Sequence, residues 1–188
     1  NNPNDPEAGT RPVTFSRNLY VESDDFLETP IPKYKRLYPD GPECRLKGAY
    51  LIKCTGCVKD EQGNVVEILA TYDPDSKGGN PADGRKVKGA TIHWVDAETA
   101  VDAQVRLYDN LFADENPDGG DKDFLDCLNP GSLEVLEGCK LEASLANAQP
   151  SDRFQFLRLG YFCADSKDSK PGALVFNRAV SLKDGFKK

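Results

Sequence analysis

Apolar and polar residues alternate with a period of two along much of this chain. Val101-Asp102-Ala103-Gln104-Val105-Arg106-Leu107 puts its apolar residues on one side and its polar residues on the other, the pattern of a half-buried strand. Phe154-Gln155-Phe156-Leu157-Arg158 repeats it, with both phenylalanines and Arg158 on one face and Gln155 and Leu157 on the other. Further strands are predicted over residues 45–53, 65–72, 88–95, 132–136 and 174–182, and Gly63-Asn64 marks a hairpin turn. Helix signals are few. Residues 23–28 offer an N-cap serine and acids for a first turn, and residues 121–128 offer a second short turn ended by Asn129-Pro130. Many short strands, frequent Gly and Pro, and scarce helix predict an all-β protein of two small antiparallel β-barrels. The turn-rich stretch from 73 to 84 separates the groups of strands.

At 188 residues the chain is long enough to bury a real core. No apolar run approaches the ~20 residues of a membrane span. The opening Asn1-Asn2-Pro3-Asn4-Asp5-Pro6 lacks the basic and apolar regions of a signal peptide, and the whole chain has no Met; it reads as a piece of a longer polypeptide, cytoplasmic, with no membrane partner. The six cysteines are scattered through strand-like contexts, which argues for reduced, packed thiols rather than a disulfide scaffold. Cys54-Thr55-Gly56-Cys57 is the only CxxC, and with one histidine elsewhere a four-ligand zinc site is short of ligands.

The net charge of −7 counts against indiscriminate binding to nucleic acid, but its distribution is uneven. Residues 31–53 hold six basic side chains (Lys33, Lys35, Arg36, Arg45, Lys47, Lys53) and two acids, and Arg85, Lys86 and Lys88 follow. Residues 109–126 hold seven acids and Lys122 alone. Three strings set forked or charged side chains among aromatic ones: Tyr34-Lys35-Arg36-Leu37, Gly84-Arg85-Lys86-Val87-Lys88-Gly89 before Ile92-His93-Trp94-Val95, and Phe154-Gln155-Phe156-Leu157-Arg158 before Gly160-Tyr161-Phe162-Cys163. Splayed single-stranded bases are held in this way, by edge contacts and by stacking on flat side chains. Arg45 and Lys47, two apart, share a strand face. The plainer alternative is a solvated basic sheet edge. Gln155 and Arg158 lie on opposite faces of a regular strand and need a bend to come together.

Other chemistry is weakly supported. Asp114-Glu115-Asn116-Pro117-Asp118-Gly119 resembles the opening of a calcium loop, but its twelfth position is Leu125 instead of Glu. His93 sits between Ile92 and Trp94 as a structural histidine. No Ser-His-Asp set, phosphate loop or paired-carboxylate motif stands out, so neither a catalytic nor a metal-binding residue is expected.

Over essentially its whole length the chain resembles the C-terminal anticodon-binding region of bacterial-type glutaminyl-tRNA synthetases. The strings that carry the resemblance are Asn2-Pro3-Asn4, Tyr34-Lys35-Arg36-Leu37, Pro81 through Gly89, Val105-Arg106-Leu107-Tyr108-Asp109, Phe154 through Cys163, Val175-Phe176-Asn177-Arg178 and Ser181-Leu182-Lys183-Asp184. The related glutamyl-tRNA synthetases of the archaeal and eukaryotic lineage are the near alternative. The resemblance implies two barrels of the ribosomal-protein-L25-like kind, a proximal one from residues 1–32 and 97–188 and a distal one from 33–96. It further implies that the partner is the anticodon stem-loop of tRNA-Gln, whose last two anticodon bases are U and G, with no role for DNA. Carried over by motif, Lys35 and Arg36 contact the third anticodon base and its phosphate, with Lys33 beside them. Arg45 and Lys47 lie at the first base, Gln155 and Arg158 at the central uridine, and Asn4 touches the loop nearby.

The chain departs from the family's pattern at Lys47 and Lys33, where Arg and Gln are expected, and in a turn from Tyr38 to Pro42 that is one residue longer. Lysine is a point charge where arginine is a planar fork. One histidine and no methionine exclude the family's two-histidine and Lys-Met-Ser-Lys-like catalytic motifs. No cofactor is therefore expected in this chain: ATP and magnesium belong to the catalytic domain of the longer ligase, the chain's other partner, and the chain alone is not an enzyme. A β-barrel module that docks a protein is the rival from another class.

Overall fold

The computed structural model describes residues 1–2, 4–119 and 123–182. Pro3, Lys122, Lys183 and Asp184, singled out above, lie outside the described residues, as do Asp121 and part of the calcium-like loop. The chain divides into two compact units, Thr14–Glu98 and Asn1–Val13 with Thr99–Lys188.

In the middle unit, β1 (Leu19–Val21) pairs antiparallel with β6 (Trp94–Asp96). The strands β2 (Cys44–Leu46), β3 (Leu51–Lys59), β4 (Val65–Asp73) and β5 (Thr91–Ile92) form a second sheet in the order β4-β3-β2-β5, with β2 and β5 parallel. Residues 45–53, expected as one strand, are two, because Leu46 ends β2 and the chain turns through Gly48 at φ 72° before β3 begins. The expected strand 88–95 is also split: β5 belongs to the four-stranded sheet and β6 to the two-stranded one, with His93 at the crossing. The β3–β4 hairpin turns where Gly63-Asn64 predicted. There the Asp60 carboxylate accepts from the backbone N–H groups of Gln62 and Asn64 at 3.0 and 2.8 Å. Leu37, Cys44, Leu46, Ile52, Cys54, Ile92 and Trp94 form the core, packed by Phe15, Leu19, Val21 and Phe26. Residues 14–32, placed with the two ends from sequence, pack here instead, since β1 pairs with β6 and Phe26 bridges to Leu37.

The unit built from both ends carries β7 (Val101–Tyr108), β8 (Leu133–Leu141), β9 (Arg153–Phe156), β10 (Gly160–Ala164) and β11 (Leu174–Ser181), in the order β8-β7-β11-β10-β9. The β7–β11 pairing is parallel and the others antiparallel. β8 runs five residues past its expected end at 136. Glu137 and Gly138 bulge opposite Ala103–Val105, with Gly138 at φ 65°, and the bulge hides the alternation. The core is Ala103, Val105, Ala148, Phe162, Ala164, Leu174 and Phe176. Phe156 stacks on Phe162 with ring centres 4.3 Å apart, and Phe154 meets Phe176 edge-on at 5.9 Å. The N-terminal segment joins this unit through a forked pair of Arg11 with Glu142, Nη2 to Oε2 2.7 Å.

The all-β class and the shortage of helix are as the alternation implies; helical turns are 3-10, at Ser23–Asp25 and Phe124–Cys127 among others. Closure is not as expected. Each main sheet ends in edge strands, β4 and β5 in one and β8 and β9 in the other, and each contains a parallel pair, so the sheets are open and mixed rather than closed antiparallel barrels. Among the described residues no helix is long and apolar enough to cross a membrane.

Candidate nucleic-acid interface

In the middle unit, the segment from Lys33 to Leu37 is not a strand but a strip pinned from both sides. A turn closed by Tyr34 N–H to the Ile31 carbonyl, 3.1 Å, puts Lys33 at φ 67°. The Lys35 carbonyl accepts from the Ala90 N–H at 2.7 Å and from the Cys44 thiol at 3.5 Å. That thiol is buried, which pushes its pKa up to about 11. Leu37 plugs into the core, its N–H on the Asp25 carbonyl. With backbone and Leu37 fixed, the side chains of Lys33 and Lys35 stand in solvent, and neither forms an ion pair with a described residue.

Arg36 is held differently. Its Nη1 lies 3.1 Å from Oδ1 of Asp25, which is 0% exposed, and 3.2 Å from the Asp24 carbonyl oxygen, which the Tyr34 hydroxyl also meets at 3.0 Å. Tyr34 and Tyr38 stand 6.2 Å apart. Arg45 and Lys47 share the outward side of the chain around β2, as their spacing implied, while Cys44 and Leu46 point inward. Arg45 Nε donates to the Gly79 carbonyl at 2.6 Å. Lys47 lies just past β2; its backbone bonds to Ile92 and Trp94 and its side chain is exposed.

Arg85 belongs to the architecture. Its guanidinium donates to Glu43 at 2.9 and 2.8 Å, to Asp73 at 2.6 Å and to Asp83 at 2.9 Å; it draws the pKa of Asp73 down, and the Arg85 backbone N–H, with the guanidinium after it, does the same for Asp83. Glu43 and Asp73 on this cation fasten the 81–90 loop to the start of β2 and the end of β4, and Asp83 closes the loop on itself. Gly89 lets the loop close, because a Cβ there would overlap the Glu43 carbonyl to which Gly89 N–H bonds. Lys86 and Lys88 remain exposed.

In the other unit, β9 stops at Phe156, so Arg158 is not on a strand. It occupies the turn Leu157–Leu159, closed by Leu159 N–H to the Phe156 carbonyl at 3.0 Å, with φ 66°. The chain thus turns between Gln155 and Arg158 instead of continuing as a regular strand. Gln155 is exposed on β9, directly across from Tyr161 on β10. Phe154 and Phe156, the aromatic residues nearest in sequence, face the core. Asn4 is exposed in a turn held by its own N–H on the Asn2 side chain at 3.0 Å. Sequence reasoning missed Asp25 as the anchor of Arg36 and Tyr161 as the partner of Gln155. The second was signalled by the alternation of Tyr161 and Cys163 with Phe162 and Ala164.

The remaining candidates find local partners. His93 Nδ1 is 3.7 Å from Glu22 Oε1. Asp114 caps the Asn116 N–H at 3.0 Å, and Cys54 bonds to the Gly56 carbonyl two residues on. Among the described residues, no three His, Cys, Asp or Glu side chains are grouped to hold a metal.

Two family models described as "tRNA synthetases class I (E and Q), anti-codon binding domain" match the chain, one over residues 1–73 and one over 91–165. Among curated relatives, the glutamine-tRNA ligase of Pseudomonas putida is 56% identical over 182 residues, 96% of this chain and 32% of that protein. That of Clostridium kluyveri is 53% identical over 188 residues, 100% of this chain and 33% of the relative. That of Bordetella avium is 56% identical over 186 residues, 98% of this chain and 31% of the relative. The chain spans about a third of the length of these relatives. The matches take in strands of both units, and the chain belongs to the anticodon-binding domain family of the class I (E and Q) tRNA synthetases.

Proposed function

We propose that this chain binds the anticodon stem-loop of tRNA-Gln as the anticodon-reading part of a glutamine-tRNA ligase. The family supports anticodon binding, and the relatives' names favour glutamine over the glutamyl alternative. The observation that carries the reading is the set of exposed lysines of the middle unit, Lys33, Lys35 and Lys47, on an otherwise acidic chain. Such lysines attract a phosphate backbone while the net charge discourages indiscriminate binding.

Lys35 and Arg36 meet the third anticodon base and its phosphate, with Lys33 beside them. Arg45 and Lys47 meet the first base, Gln155 and Arg158 the central uridine, and Asn4 the loop nearby. A guanidinium has five donors; Arg36 and Arg45 each use one nitrogen on the protein, which orients the rest for RNA and lowers the ordering cost of binding. The chain supplies no reacting group. The catalytic domain of the parent ligase, with ATP and magnesium, attaches glutamine in the cytoplasm, and binding energy from these remote bases helps position the acceptor end.

The test is binding of this chain to tRNA-Gln, and to the same RNA with its central anticodon U replaced, at one moderate salt concentration. The expected result is a loss of about tenfold or more on replacement, the usual cost of one mismatched base contact. Equal binding to both overturns base reading, and RNA binding without salt dependence favours a protein-docking module instead.

A further inference from the structure

Gln155 and Tyr161 are direct cross-strand partners, so their side chains rise from the same face of the sheet. On its other side Tyr161 is opposite Val180 of β11. All three are exposed, Tyr161 by 49% and Val180 by 58%. The face thus carries an amide, an aromatic ring and an aliphatic residue in one row, at the end of the sheet where the Arg158 turn lies. Leu157 and Leu159 flank Arg158 and are themselves exposed.

A base gripped at its edge by an amide and a guanidinium still presents two apolar ring faces to water, and RNA-binding modules cover such faces with aromatic side chains. Phe154 and Phe156 cannot do this here, because their rings pack on Phe162 and Phe176. Tyr161 is the aromatic residue in register with Gln155.

We infer that Tyr161 is the stacking floor for the unpaired pyrimidine whose edge Gln155 meets, with Val180 as its apolar border. This rests on the reading above, in which Gln155 and Arg158 meet the central anticodon base. The row supplies two kinds of selection: Gln155 recognises the donor and acceptor pattern of the edge, and Tyr161 rewards a base that is flipped out and flat.

The test compares wild type with Tyr161→Phe, Tyr161→Val and Tyr161→Ala, each titrated with the tRNA-Gln anticodon stem-loop and with the version whose central U is replaced. Tyr161→Phe keeps the ring and is expected to bind within about twofold of wild type. Tyr161→Val keeps a residue suited to a strand but removes the flat face, and with Tyr161→Ala it is expected to weaken cognate binding by about tenfold or more. The weakening should come with an unchanged slope against log salt, since every phosphate keeps its partner, and with an unchanged melting temperature. If wild type discriminates the two RNAs while Tyr161→Val and Tyr161→Ala bind like it, the inference is overturned and the anticodon reading stands. If wild type does not discriminate, the anticodon reading falls and the inference falls with it.

Discussion

Arg36 pairs with Asp25, a carboxylate with 0% exposure, across 3.1 Å. The cation assigned to the RNA is therefore also the counter-ion of a buried acid in its own unit. Arg36→Ala should lower the unfolding free energy by about 1–3 kcal/mol, the cost of stripping a partner from a buried polar group. The figure sits at the modest end for a buried ion pair because Arg36 itself is partly exposed. Urea unfolding of Arg36→Ala and Arg36→Lys measures it, and the lysine variant should recover part of the stability. An affinity measured on Arg36→Ala has meaning only at a temperature where the variant is folded.

Lys35 and Lys47 carry no such double duty. Alanine at either should leave stability within about 0.5 kcal/mol of wild type. It should also make the dependence of log affinity on log salt shallower by about 0.7 for each phosphate that is no longer neutralised. Lys53, exposed on β3 opposite Thr71, is the control and should leave the slope unchanged. Arg85→Ala should behave in the opposite way, lowering the melting temperature without moving the slope, since its guanidinium is committed to Glu43, Asp73 and Asp83.

Asp165 sets an acid limit for the unit built from both ends. It accepts from the backbone N–H groups of Lys167 and Asp168 at 2.8 Å each and from Asn177 Nδ2 at 2.6 Å, with Arg106 nearby. These hydrogen bonds, led by the Asp168 N–H, hold its pKa down at about 2. An unfolded aspartate titrates near ~3.9. The stabilisation is therefore present above about pH 4 and is lost as pH falls toward 2, when the folded carboxylate takes up its proton. Asp165→Asn should flatten that part of the curve of stability against pH, measured by urea unfolding at a series of acidic pH values.

Cys44 should be chemically silent in the folded chain. It is buried, and at a pKa of about 11 it is almost entirely a thiol at pH 8. Cys57, Cys139 and Cys163 are only half-buried. Alkylation followed by peptide mapping should label those three first, with Cys44 and the equally buried Cys54 reacting at the rate of unfolding.

Strand positions were legible where one face of a strand is buried and the other wet, as at 101–107, because burial then writes itself into the sequence as alternation. Alternation failed as a guide where geometry departs from a regular ladder: the turn through Gly48, the bulge at Glu137–Gly138, and His93 between two sheets. Closure was not legible, because whether a sheet's ends meet depends on partners distant in sequence. For the interface, residue type marked Lys35, Arg36, Gln155 and Arg158, but it did not separate Arg36, tied to a buried acid, from Lys35, which is not. Arg85 shows the same limit: an arginine in a basic string reads alike whether it awaits phosphate or already holds three carboxylates.

The middle unit is inserted between Val13 and Thr99, and this imposes an order on folding during synthesis. Once residue 98 has left the ribosome, every strand partner of the middle unit exists, and domains generally fold as units as they emerge. Arg11, made earlier, has no counterpart until Glu142 appears, and β7 lacks its parallel neighbour until β11 is complete. A nascent chain arrested after residue 108 and before 133 therefore carries a finished inner unit, an Arg11 without its Glu142 and a β7 with neither neighbouring strand yet made. That is the interval in which the outer unit most needs protection from pairing with a stranger.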